Sequence, residues 1–173
     1  MSVTLPSLSA VTGTARWRVE PRAITHPDAA LLVEEVQQEY VVRYGGRDET
    51  PISATYFVPP HGAFFVGYLD GDPVATGAWR RRTDVVVGDT ALGAEVKRMY
   101  VAPRARRRGL ARAMLAHLED TARAAGAEVM LLETGLKQPE AIVLYESSGY
   151  ERIPGFGFYQ DAPLSRCFAR SLR

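Results

Sequence analysis

From Leu110 onward the chain returns an apolar residue every four positions, at Leu110, Met114, Leu118 and Ala122, with Ala111 and Leu115 beside them. Arg112, Ala116, Glu119, Asp120 and Arg123 fall on the other side, so the segment predicts an amphipathic helix that ends at Gly126. Just upstream, Val96, Met99, Tyr100 and Val101 suit a buried strand, and Pro103 breaks it by removing a donor. Strand, turn and helix in this order form the unit that the rest of the chain must serve.

The same patterning extends to both sides. Ala15 to Glu20 alternates around Trp17 and Val19 and predicts a strand. Thr25-His26-Pro27-Asp28 carries helix-start signals, and Leu32, Val36, Tyr40 and Tyr44 then mark one apolar helix face, closed by Gly45-Gly46. Glu34, Glu35 and Glu39 sit largely opposite, as solvated surface. Arg47 to Pro60 is irregular, anchored by Ile52, Tyr56 and Phe57.

Ala63 to Leu69 and Val74 to Arg82 flank Asp70-Gly71-Asp72-Pro73 and predict a hairpin, and Thr83 to Gly93 a turn. Glu128 to Thr134 is almost continuously apolar, as suits a strand covered on both faces, and strand–helix–strand implies a parallel crossover. Gln138-Pro139 opens a short helix through Ser147, closed by Gly149; Tyr150 to Ile153 and Ser165 to Arg170 supply the last strands. The order predicts an α/β fold with a single mixed central sheet of about six to seven strands and helices on both faces. Residues 1–14, rich in small and hydroxyl residues, are expected to be a flexible leader to a domain over 15–173.

Composition narrows the function classes. With 173 residues, 46% of them hydrophobic, the chain suits one domain. The 21 basic and 20 acidic residues leave a net charge of +1, so neither nucleic acid nor a membrane is an expected partner and the arginine cluster is a local feature. Cys167 alone makes an internal disulfide impossible, and His26, His61 and His117 form no spaced ligand set, so no metal is expected. No apolar run approaches about 20 residues and no signal-peptide pattern opens the chain, so a cytoplasmic protein is expected.

Arg104, Arg106, Arg107, Arg108 and Arg112 crowd the nine positions after Pro103, with Gly109 where the helix begins. The first amides of a helix lack internal partners, the macrodipole is positive there, and glycine lets an anion approach the backbone; a diphosphate fits such a place. Neither GxxxxGK[ST] nor GxGxxG occurs here. Arg106-Arg107-Arg108-Gly109-Leu110-Ala111 instead resembles the (Arg/Gln)-x-x-Gly-x-(Gly/Ala) pyrophosphate loop of the GNAT superfamily of acyl-CoA-dependent N-acetyltransferases. Downstream, Gln138 to Tyr150 resembles the family's Asn-x-x-Ala-x-x-x-Tyr-x-x-x-Gly-(Phe/Tyr), with Gln138 in place of Asn. The resemblance covers Trp17 to Arg170.

It implies the GNAT fold and acetyl-CoA as cosubstrate. Carried over by position, the loop amides from Arg107 to Arg112, with arginine side chains for the remaining phosphate, would take the pyrophosphate. The strand over Met99, Tyr100 and Val101 would pair its backbone with the pantetheine arm, and the amide near Met99 would polarise the thioester oxygen. Gln138 would contribute to holding coenzyme A.

An acceptor amine of pKa about 10 is mostly protonated at neutral pH, so a proton must leave. Glu95, eleven residues before Arg106, is the first candidate base, Glu133 the second, and water alone the third. Tyr145 is the candidate for hydrogen-bonding the departing thiolate, with core packing as its structural alternative. In this fold the amine would enter past Tyr40, Tyr44, Tyr56, Phe57, Phe156, Phe158 and Tyr159, most of which also suit packing.

These features predict direct transfer, without Cys167 as acyl carrier, to a primary amine of a small molecule or amino acid by a monomer or homodimer. A protein lysine or N-terminus is the alternative acceptor. A non-catalytic acyl-CoA sensor and an arginine-based nucleic-acid binder are the rival classes.

Overall fold

The computed structural model describes residues 15–173, and the expected leader lies outside them. Strands β1 (Trp17–Pro21), β2 (Gly62–Leu69), β3 (Asp72–Arg82) and β4 (Gly93–Val101) pair antiparallel in sequence order. Strand β5 (Val129–Gly135) lies parallel to β4, as the crossover requires. The chain then inserts β7 (Ser165–Ser171) between β5 and the outer β6 (Glu151–Ile153), giving one mixed seven-stranded sheet in the order β1-β2-β3-β4-β5-β7-β6.

Helix α1 (Pro27–Tyr44) begins where His26 Nδ1 accepts from the Asp28 amide at 3.2 Å, and it stops at Gly45, whose left-handed backbone favours glycine. Leu32 and Val36 pack with Phe64, Val66, Ala78 and Tyr100 on one face of the sheet. Helices α2 (Leu110–Ala124) and α3 (Pro139–Ser147) cover the other face, where Met114, Leu115, Leu118 and Tyr145 meet Trp79, Val96, Leu132 and Phe168. A one-turn 3₁₀ helix at Ala54–Phe57 sits in the segment read as irregular and buries Phe57 against Phe64.

Two surface expectations are corrected. Glu119 is buried, accepting from the Tyr150 hydroxyl at 2.9 Å and from Arg170 Nη1 at 2.8 Å, because the final strands close over that flank of α2. Glu35 and Glu39 are paired rather than simply solvated: Glu35 with Tyr100 and Arg104, Glu39 with Arg43 and Arg106.

The feature that positions the site is a bulge in β4. Thr76 faces Tyr100 and Ala78 faces Lys97, so Arg98 and Met99 together stand opposite Gly77. Arg98 takes φ 53°, and its carbonyl accepts from the Thr76 hydroxyl at 2.7 Å. The extra residue reverses the alternation: Glu95 aligns with Arg80, and Tyr100 reaches the α1 side, where without the bulge it would face α2. A Cβ on Gly77 would lie 2.8 Å from Met114, so the bare backbone there also lets α2 close onto the sheet.

Candidate active site

Strands β4 and β5 pair only at Gly93–Val129, Ala94–Met130 and Glu95–Leu131, although β4 runs on to Val101 and β5 to Gly135. Past Glu95 the two diverge, as the added twist of a bulge favours. The Ala102 amide bonds to Val74 on β3 at 2.8 Å, so alternation turns the backbone of Val101 the opposite way, into the gap, and with Tyr100 paired to Thr76 the Met99 carbonyl turns there too. Arg106 Nε already occupies the Val101 carbonyl at 2.8 Å, which confirms that direction. Tyr100 is a correction: its backbone turns toward β3, and its hydroxyl donates to Glu35 at 3.2 Å beneath α1, so it does not line the gap as expected.

The gap leads to the start of α2. Arg107 (φ 63°) and Gly109 (φ 75°) are both left-handed, and no side chain caps the helix. The amides of Leu110, Ala111 and Arg112 therefore lack intrahelical partners and form a concave anion seat. Buried Leu110 anchors the turn against Val74 and Ala105.

The arginines divide into two groups. Arg104 donates to the Pro73 carbonyl at 2.8 Å and Arg106 pairs with Glu39 at 2.5 Å. Arg112 bonds to Ser147 Oγ at 2.7 Å and Ser148 Oγ at 2.9 Å, fastening α2 to the end of α3, so its expected cofactor contact is confined to its amide. Arg107 and Arg108 are exposed and have no ion-pair partner among the described residues, leaving both for phosphates. An open backbone edge ending at a capless helix start, with two uncommitted guanidinium groups, fits the pantetheine arm and diphosphate of coenzyme A.

Glu95 lies at the floor of the α1 face, 2% exposed. Its Oε2 receives Arg80 Nε at 2.8 Å and Arg82 Nη1 at 2.6 Å, and Lys97 Nζ stands 3.5 Å from Oε1. Burial alone would push its carboxyl up, but Lys97, Arg80 and Arg82 outweigh burial and hold it below the usual carboxylate range. Both oxygens are engaged, which disfavours proton acceptance. Glu133 points from β5 to the same face, half-buried, and is shifted the other way: burial raises its pKa, and the nearby Glu95 and Asp48 carboxylates add to the rise against the pull of Lys97.

Tyr145 is 5% exposed, and its ring packs edge-on against Tyr150 at 5.7 Å between centroids and beside Phe168 at 6.4 Å. Its hydroxyl has no hydrogen-bond partner among the described residues. Burial, and then Tyr40 from the α1 side, push the phenol well up.

At the mouth of the gap, the Tyr44 hydroxyl accepts from Gln138 Nε2 at 3.2 Å and lies 2.0 Å from where a Cβ on Gly135 would stand. Cys167 faces Glu133 across β5 and β7, is 3% exposed, and burial raises its thiol pKa, so it is a poor nucleophile. Of the expected aromatic lining, Phe57 and Phe156 are core residues, while Tyr56 lines a cleft of about 550 Å³ with Thr55, His61, Arg80, Arg81, Arg82 and Gly157. The sequence reading overlooked Arg80 and Arg82; the only signal was an arginine triplet ending a predicted strand. Among the described residues no group of three metal-ligating side chains gathers, and no helix is long and apolar enough to cross a membrane.

The same fold recurs in solved structures of acetyltransferases. A GNAT-family acetyltransferase from Staphylococcus aureus superposes with a TM-score of 0.71 at 16% identity, covering 91% of this chain and 100% of that one. The ribosomal-protein-S18-alanine N-acetyltransferase of Escherichia coli does so with 0.60 at 21%, covering 91% and 94%. The family model described as Acetyltransferase (GNAT) family matches residues 30–150, and the chain belongs to that family and is an acetyltransferase. The IAA acetyltransferase of Azospirillum brasilense is 36% identical over 134 residues, 78% of this chain and 84% of that relative.

Proposed function

We propose that this protein moves an acetyl group from acetyl-CoA directly to a primary amine of a small molecule. The observation that carries the reading is the parted β4–β5 edge, with the Met99 and Val101 backbone turned into it, running to the uncapped start of α2. When bound, acetyl-CoA supplies the thioester that the amine attacks and the thiolate that leaves. The Arg107 to Arg112 amides, with the side chains of Arg107 and Arg108, hold the phosphates. Arg106 releases the Val101 carbonyl so that the pantetheine arm can pair there, and Gln138 contacts the arm from the α3 side.

The Met99 amide donates to the carbonyl oxygen as charge grows on it. Glu133 accepts the amine proton through water, since its raised pKa suits a base better than the depressed one of Glu95. Glu95 instead fixes Arg80, Arg82 and Lys97. The Tyr145 hydroxyl donates a hydrogen bond to the leaving sulfur; its raised pKa keeps it protonated and makes complete transfer uphill. Cys167 is too enclosed to carry the acyl group, which supports direct transfer.

A small acceptor is favoured by the size of the open cleft at Arg80, about 550 Å³, and by the relative named as an IAA acetyltransferase. The test is calorimetry with acetyl-CoA at moderate ionic strength, followed by thiol release across a library of small amines and peptides. Binding with release on a small amine is expected. No binding removes the reading altogether, release only with peptides favours a protein acceptor, and binding without release from any acceptor favours an acyl-CoA sensor.

A further inference from the structure

The cleft beside Glu95 contains a set of donors that acetyl transfer itself does not require. Arg80 gives only its Nε to Glu95 and stacks its guanidinium over the Tyr56 ring, 5.2 Å from the centroid. Its two Nη groups donate to nothing among the described residues, although its side chain is only 17% exposed. By contrast Arg82 is fully engaged, with Asp84 at Nε and Nη2 and Glu95 at Nη1. Arg81 lines the same cleft, but its guanidinium is taken up by the Pro60 and Ala125 carbonyls. His61 and Thr55 border the same opening of about 550 Å³, a volume suited to a small ligand.

A guanidinium fixed at Nε by a buried carboxylate and held flat by an aromatic ring presents two parallel donors, the geometry that binds a carboxylate with two hydrogen bonds. We infer that the acceptor is an amine that also carries a carboxylate, and that Arg80 seats this carboxylate. The inference rests on the acetyl-transfer reading above and specifies its acceptor.

Register sets the spacing. Arg80 stands opposite Glu95, and Met99 lies four residues further along β4, about 10–13 Å at the usual strand rise. An α-amino acid acetylated on its α-amine would leave its own carboxylate beside the acetyl group, short of Arg80. The acid therefore stands several bonds from the amine that reacts.

The binding experiment titrates 6-acetamidohexanoate and its neutral counterpart 6-acetamidohexanamide into the protein, with and without saturating coenzyme A. The acid should bind about tenfold or more tighter than the amide, as a charge-assisted pair predicts, and the advantage should shrink with added salt. R80Q should bring the acid down to the level of the amide, and R80K should restore part of the difference, charge without the fork. Equal affinities for acid and amide, or R80Q weakening both together, overturn the inference.

In turnover, ω-amino acids from glycine to 8-aminooctanoate are compared with n-alkylamines of equal length. The acids should show the higher kcat/KM, with the gap opening as the chain lengthens and closing in R80Q; a gap largest at glycine or unaltered in R80Q counts against it. Absence of coenzyme uptake and of thiol release with every amine defeats the acetyl-transfer reading instead, while the acid–amide comparison without coenzyme still reads the Arg80 site.

Discussion

Tyr145 and Glu133 carry opposite kinds of risk for the molecule. Tyr145 is a core ring whose hydroxyl is proposed to assist the leaving sulfur, so Tyr145→Phe keeps the packing against Tyr150 and Phe168 while deleting the donor. We expect kcat to fall about 100-fold with the acetyl-CoA Kd nearly unchanged, as for loss of a group acting on the transition state; equal rates would refute the hydrogen-bonding role. Glu133 must be ionised to act, so activity should decline as pH falls through its raised pKa. Glu133→Gln should lower turnover and flatten that acidic limb, which for the wild type should stay in place when acceptors of different amine pKa are compared. Burial destabilises its charged form, so the same substitution should raise Tm at neutral pH rather than lower it. A limb that persists in E133Q removes Glu133 as the base.

At the level of elements, the segment from Pro103 to Arg112 separates arginines with protein partners from the two proposed to bind phosphate. Arg104 and Arg112 fasten β4 and α2 to their surroundings, while Arg107 and Arg108 extend from a turn whose left-handed residues aim its amides outward. The double substitution Arg107→Gln, Arg108→Gln should weaken coenzyme A binding about tenfold and flatten its salt dependence without affecting Tm, because neither side chain has a protein partner to lose. Arg112→Gln should instead lower Tm and leave the salt dependence alone. Identical effects from the two variants would erase the distinction.

Across the whole molecule, stability depends on enclosed carboxylates paired with cations. Glu95 and the half-buried Asp48 are held below their ordinary range, Glu95 by Lys97, Arg80 and Arg82 against the opposing effect of burial. A depressed carboxylate stabilises the fold fully above its unfolded pKa, about 4, and that stabilisation is lost as pH falls through the lower folded value. Thermal stability should therefore decline steeply below about pH 4. Glu95→Gln leaves Arg80, Arg82 and Lys97 around a neutral amide, and should cost about 3 kcal/mol at neutral pH, or roughly 6–12 °C in Tm, while flattening the acid dependence. A Tm within 2 °C of wild type, about the shift that 0.5–1 kcal/mol gives a chain of this size, would count against Glu95 as an anchor of the cluster.

The elements themselves were legible in the sequence because their causes are local. The four-residue apolar return of α2, the Pro and Gly punctuation and the hairpin turn all act within a few residues, and the two motifs singled out the loop and Tyr145 as candidates. Tertiary structure decided what local pattern cannot express. The bulge at Arg98 and Met99 changes which side of the sheet each later β4 residue faces, and it exists only as a register against β3. Glu95 reads as a free carboxylate until Arg80, Arg82 and Lys97 fold onto it, and the five loop arginines look equivalent until Glu35, Glu39, Ser147 and Ser148 claim three of them. Helix and turn preferences are set by neighbours along the chain, whereas the gap between β4 and β5 and the partner of each charge are set by segments that meet only when the sheet closes.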